Sequence, residues 1–287
     1  MPDTTASPSP EDALRSAYPF GDVLCAVDGT RRSFAAVEQA ARLAGPDGRL
    51  TLLAVTAERG SGVYSSAVIS PQRAERFLES AKRIAERAGV RCEAVLDPTG
   101  PPPAVILARA DEHDLLALGA PWASWLGAML FDGVAEAALE SFSTPMLAAR
   151  IVAGGHERFG QRILVASDGL DGSDELVELA GRLAQGWDGR VTLAHVTGVE
   201  SRARPHRIEA QGEQLHAALG ERAEVRVEVG PADEAIMRVA SEASCSLVLM
   251  SSHRLGGLAS TLGSVSRRVV HKAHCSVLLV PPELLQS

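Results

Sequence analysis

Short apolar runs alternate with longer amphipathic stretches along the chain, and the alternation passes through the same order twice. In the first pass the apolar runs are 22–28, 50–56, 91–96, 114–119 and 145–151; in the second they are 161–167, 190–197, 224–229, 246–251 and 276–280. Leu247 to Met250 and Val277 to Val280 are continuously apolar, the pattern of strands covered on both faces in a parallel sheet. Between the runs the period turns helical. Phe34, Val37, Ala41 and Ala44 repeat from Ser33 to Leu43, and Glu175 to Leu183 follows the same theme. Pro71 to Ala88 puts Phe77, Leu78, Ala81, Ile84 and Ala85 on one face and stops at Gly89. Pro103 to Asp111 and Asp233 to Glu242 predict a third helix in each pass, and Gly133 and Gly263 each open a fourth. Strand–helix alternation of this kind predicts an α/β fold with a mostly parallel five-stranded sheet in each half.

The two passes are copies of one module. Val23 to Asp28, ending in Asp28-Gly29-Thr30, matches Ile163 to Asp168, ending in Asp168-Gly169-Leu170, at an offset of 140. Gly48 to Leu52 matches Gly189 to Leu193 at 141, Asp114 to Leu118 matches Ser246 to Met250 at 132, and Gly133-Val134 matches Gly263-Ser264 at 130. The offset drifts only between apolar runs, where loops and helices can change length, as a duplication requires. The expected organisation is a disordered arm (1–18), a first domain (19–152), a linker (153–160) that is flexible by composition, and a second domain (161–284).

Composition narrows the function classes. At 287 residues with 46% hydrophobic and 22% charged residues, the chain fits two soluble domains of ordinary size. A net charge of −8 argues against nucleic acid or an anionic membrane as the main partner. The chain has no apolar run of about 18 residues, and residues 1–12 lack the features of a secretory signal, so a cytoplasmic location is expected. The four cysteines, Cys25, Cys92, Cys245 and Cys275, have neither metal-ligand nor redox spacing and read as reduced thiols.

In their order these pieces resemble the universal stress protein family, over nearly the whole chain and as two tandem domains. That family has an adenine-nucleotide-alpha-hydrolase-like fold. Its first strand ends in an Asp that faces adenine, its second ends near the nucleotide, and its fourth leads into a loop of pattern G-x2-G-x9-G-[ST]. Asp28-Gly29-Thr30 and Asp168-Gly169 match the first element. Leu53-Ala54-Val55 and Ala194-His195-Val196 match the second, and Gly263-Ser264-Val265-Ser266 matches the close of the loop. The resemblance implies a stress-response regulatory or sensing protein that binds ATP or another adenine nucleotide. In the second copy it implies a site built from Ala166, Ser167, Asp168, Val196, Met250, Ser251, His253, Arg254, Gly263, Ser264, Val265 and Ser266.

The two phosphate loops differ in chemistry. Such a loop needs small residues, so that backbone N–H groups reach the phosphate oxygens, and a helix N-terminus behind them. The first copy keeps Asp28, Val55, Gly119 and Gly133, but Trp122 stands where the second glycine belongs and Val134 replaces the hydroxyl residue. Asp132 puts a negative charge where phosphate would sit, and Pro121 removes an N–H. The first copy is therefore expected not to bind, with Trp122 and Trp125 filling its vacant pocket in preference to forming an exposed aromatic patch for a partner. The second copy lacks the early glycines and is one residue short, yet Gly256-Gly257, Arg254, His253 and the Ser264 and Ser266 hydroxyls suit an anion. At most one nucleotide per chain is expected.

His271-x2-His274-Cys275 has no completing ligand, so no metal site is expected. Asp28 and Asp168 lack a neighbouring His, Lys or second carboxylate in their motifs, so neither reads as a catalytic acid. There is no G-x4-G-K-[ST] and no G-x-G-x-x-G, which disfavours an adenylating enzyme. The alternative is an interaction scaffold of the same fold without ligand. The apolar last runs of both copies would lie at sheet edges, where they invite pairing. The two copies are accordingly expected to form an intrachain pseudo-dimer, and a further homodimer is left open.

Overall fold

A computed structural model describes residues 18–56, 69–120, 133–140, 143–152, 158–170, 172–197, 205–251, 263–281 and 284. Copy one runs β1 (Asp22–Ala26), α1 (Arg31–Ala44), β2 (Arg49–Val55), α2 (Pro71–Arg87), β3 (Arg91–Asp97), α3 (Pro102–Ala110), β4 (Leu115–Gly119), α4 (Gly133–Glu140) and β5 (Met146–Ala149). Copy two runs β6 (Arg162–Ser167), α5 (Ser173–Gly186), β7 (Arg190–Thr197), α6 (Pro205–Leu219), β8 (Ala223–Val229), α7 (Ala232–Glu242), β9 (Leu247–Ser251), α8 (Ser264–Lys272) and β10 (Ser276–Val280).

Within each copy the strand pairs are parallel, in the order 3-2-1-4-5. The continuous apolar runs are explained by helices on both faces. Val23, Cys25, Leu50 and Leu52 face one core with α1 and α2, while Leu24, Leu53, Leu116 and Met146 face a second core on the other side.

The two sheets are one. β5 and β10 pair antiparallel, joining all strands into a ten-stranded sheet of order 3-2-1-4-5-10-9-6-7-8. In this pairing Leu147 lies opposite Leu278. These two residues occupy equivalent places in the two copies, because Leu116 pairs with Met146 as Val248 pairs with Val277. A pseudo-twofold axis therefore passes between the two leucines. The expected pairing of the two edge runs is the one observed.

The seam also carries a polar cluster that sequence reasoning did not anticipate. Arg150 follows β5 and is 1% exposed. Its backbone N–H donates to Ser276 Oγ (2.9 Å), and its guanidinium donates to the carbonyls of Cys275 (3.2 Å) and Val270. Gln39 of α1 donates to the Arg150 carbonyl (2.6 Å) and accepts from Ser276 Oγ (2.7 Å). Burial pulls the guanidinium pKa down to about 10, the charge having carbonyl dipoles but, among the described residues, no carboxylate beside it. The same burial pushes the Cys275 thiol up to about 12.

Two boundaries shift from expectation. The linker was expected to extend to residue 160, but Phe159 is fully buried against Trp187, ring centroids 5.7 Å apart, so copy two's core begins inside it. Tyr18, assigned to the arm, packs its ring against Gly45. Among the described residues no helix is long and apolar enough to cross a membrane.

Candidate functional site

In an open parallel sheet, ligands bind beyond the carboxyl ends of the strands where neighbouring connections leave in opposite directions. In copy two that place lies between β6 and β9, because β6 leads outward to β7 and β9 leads toward β10. The expected site residues among the described ones stand as follows. Ala166 and Ser167 end β6, Asp168 follows, Val196 lies near the end of β7, and Met250 and Ser251 end β9. Gly263 caps α8, and Ser264, Val265 and Ser266 form its first turn.

Their chemistry divides into two parts. Ala166, Val196 and Val265 are only partly buried and pack against the core cluster that contains Met250, so the strand ends offer an apolar surface. At its margin stands the N-terminus of α8, where the backbone N–H groups of the first turn have no carbonyl within the helix to bond. Ser264 there is exposed, while Ser266 is buried and its hydroxyl donates to the Ser251 carbonyl (3.3 Å). The buried Ser251 Oγ has no hydrogen-bond partner among the described residues. A flat apolar ring over this surface and an anionic group at the helix end would satisfy both parts. His253, Arg254 and Gly256-Gly257 lie outside the described residues.

Asp168 is held by its own turn, its carboxylate accepting the Leu170 N–H (3.0 Å). Beneath the turn, Ser167, Ser173, His195 and Gln211 form a buried polar cluster. Of these only Ser167 was expected at the site. Gln211 lies on α6, an element the apolar runs did not reveal, and its burial at 2% exposure is the signal.

Copy one holds its equivalent turn differently. The Asp28 carboxylate accepts both the Thr30 N–H (2.8 Å) and the Thr30 hydroxyl (2.6 Å), and Thr30 then caps α1 by accepting the Ser33 N–H (3.3 Å). This ties Asp28 into an N-cap. Gly119 is pressed against the start of α1, where a Cβ would lie 2.6 Å from the Arg32 carbonyl carbon. Val55 is buried and Val134 opens the second residue of α4 without a hydroxyl. Trp122, Trp125 and Asp132 lie outside the described residues.

The charges near α8 are already paired. Arg267 bonds Glu136 of α4, and His271 faces the same carboxylate (3.5 Å), so these contacts cross between copies. Arg268 pairs with Asp233 (2.9 Å), with Lys272 nearby (3.6 Å). His271 is thus drawn to a carboxylate across the seam, and His274 bonds the Ala240 backbone. Among the described residues no His, Cys, Asp and Glu side chains gather as a metal would need.

Comparison with known proteins agrees with this architecture. The model of the universal stress protein family matches twice, over residues 19–150 and 160–281. A universal stress protein from Archaeoglobus fulgidus DSM 4304 superposes with a TM-score of 0.74 at 22% identity, covering 91% of this chain and 98% of the other. A functionally unknown protein from Pseudomonas aeruginosa PAO1 superposes with a TM-score of 0.67 at 15% identity, covering 94% and 95% of the two chains. No curated protein matches the chain. With both copies matched in sequence and the whole sheet matched in shape, the chain belongs to the universal stress protein family as a tandem two-domain member.

Proposed function

We propose that this protein is a cytoplasmic stress-response regulator that binds one adenine nucleotide, in copy two, and that copy one is a structural partner without ligand. The observation that carries the reading is the apolar surface at the strand ends (Ala166, Val196 and Val265 beside Met250) with the α8 N-terminus at its margin. The base would lie on that surface beside Asp168. The phosphates would meet the Ser264, Val265 and Ser266 amides and the Ser264 hydroxyl, where the helix dipole favours negative charge. In copy one Asp28 is committed to its cap, and Val134 offers no hydroxyl.

Titration calorimetry with ATP tests this. One nucleotide per chain is expected, and Ser264→Asp should abolish binding by fixing a negative charge at the positive end of the dipole. Unchanged affinity in Ser264→Asp removes the phosphate assignment, and a stoichiometry of two refutes the division of labour. Absence of binding to either copy leaves the scaffold reading in its place.

A further inference from the structure

Of the polar cluster beneath the Asp168 turn, only the serine on the following helix has a counterpart in copy one, where the Ser33 hydroxyl donates to the Thr30 carbonyl (3.0 Å). The hydrogen bonds of the copy-two cluster run in one consistent direction. The Gly169 N–H donates to Ser167 Oγ (3.1 Å), whose hydroxyl donates to Gln211 Oε1 (2.7 Å). Gln211 Nε2 donates to Ser173 Oγ (2.9 Å) and to Asp174 Oδ1 (2.5 Å), and the Ser173 hydroxyl donates to the Leu170 carbonyl (2.6 Å). The Asp174 carboxylate fixes which way round the carboxamide sits, since only its NH2 end can face an acceptor. Both ends of the Gly169-Leu170 segment are thereby tied to one side chain on α6. His195 supports the same place from below, Nδ1 lying 2.9 Å from the Ser167 carbonyl.

Copy one has apolar residues at all of these positions but that of Ser173. The buried faces of α2 (Ala74, Phe77, Leu78, Ala81, Ala85) and α6 (Ile208, Gln211, Gly212, Leu215, Leu219) have identical spacing, so Phe77 stands where Gln211 does. Val27, Ala54 and Phe34 occupy the places of Ser167, His195 and Asp174, and Ser33 corresponds to Ser173. The Phe77 ring lies over Gly29, leaving no room for a Cβ there. Local hydrogen bonds hold both turns, but the second helix meets the copy-one turn with the Phe77 ring and the copy-two turn with the Gln211 carboxamide. A buried, fully satisfied network of this kind specifies geometry, because any rearrangement strands a donor or acceptor away from water.

We propose that Gln211 is a positioning residue for ligand recognition by copy two: through Ser167 and Ser173 it couples helix α6 to the turn that presents Asp168. The ligand part rests on the reading of copy two as the nucleotide site. Gln211→Leu removes both ends of the link at similar volume. Hydrogen exchange should show protection at the Gly169 and Leu170 amides falling about tenfold, and the Kd for ATP should rise by a similar factor. Gln211→Glu sets a second carboxylate against Asp174, whose other oxygen pairs with Arg207 (3.3 Å) in a partly exposed position. Acidification that protonates this carboxylate pair restores an O–H donor, so its loss of affinity should be relieved as pH falls, a recovery that neither the wild type nor Gln211→Leu shows. Unchanged amide protection in both variants overturns the proposal, as does lost protection with ATP affinity unaltered. If wild type binds no ATP, the nucleotide reading falls, while amide exchange still decides whether Gln211 positions the turn.

Discussion

Replacing Leu278 with alanine tests the fusion of the two sheets at its centre. Leu278 and Leu147 face one another across the antiparallel pair and are both 0% exposed. Truncating a sealed leucine costs about 2–5 kcal/mol, depending on how far the surroundings collapse. Here collapse is hindered, because β10 is hydrogen-bonded on one side to β5 and on the other to β9, and the main chain cannot close the void. We therefore expect the upper part of that range, about 4 kcal/mol. In a chain of this size that lowers the melting temperature by about 7 °C. Leu147→Ala should cost a similar amount. The double variant should depart from additivity by at least about 0.5 kcal/mol, because the two side chains share one space. Val227→Ala, on an edge strand at 59% exposure, is the control and should stay within about 0.5 kcal/mol. Urea unfolding at constant protein concentration measures all four. A cost below about 1 kcal/mol for Leu278→Ala, or strict additivity with Leu147→Ala, refutes the packing argument.

Two further outcomes follow from local chemistry. The Thr99 hydroxyl and N–H, and then the Arg109 guanidinium, hold the Asp97 carboxyl below its ordinary range. A depressed folded-state pKa gives stability that is complete above the unfolded value, about 3.9, and is lost as pH falls through the folded one. Asp97→Asn should therefore flatten the acid limb of the stability profile, read by circular dichroism from pH 6 downward, and an unchanged limb counts against the assignment. Gly29→Ala should destabilise copy one by more than about 1 kcal/mol, because Gly29 has φ +80° and its Cβ would lie 2.6 Å from the Phe77 ring. A smaller loss in thermal unfolding would mean that the ring moves aside.

The sequence carried the eight inner strands almost to the residue, because a strand covered on both faces is apolar along its length, while the edge strands β3 and β8 were marked instead by polar and apolar residues in mixture. Copy two's second helix was not legible in the same way. On its buried face Gln211 and Gly212 interrupt the apolar spacing of Ile208, Leu215 and Leu219. A side chain satisfied by distant partners looks like an exposed one in a linear pattern. Arg150 escaped notice for the same reason, since only the pairing of β5 with β10 buries it. Of the residues expected at the candidate site, Ala166 and Met250 lie opposite one another near the ends of neighbouring strands, and Gly263, Ser264 and Val265 stand at the start of α8. Nothing linear showed that Arg267 would be drawn to Glu136 of the other copy.

The antiparallel β5–β10 junction has an evolutionary consequence. In a symmetric homodimer one gene writes both halves, so every substitution at the interface is made twice and must be tolerated at both ends of the axis. Here the arginine that bonds Val270 and Cys275 sits at one end only, and the place equivalent to Arg150 is Pro281, which has neither side-chain nor backbone N–H to donate. Tethering makes the association intramolecular and independent of protein concentration. It also releases each half from the need to match itself. One half can let its pocket drift while the other keeps its own, and the pair inherits a permanent front and back that no identical-subunit assembly with this axis could have.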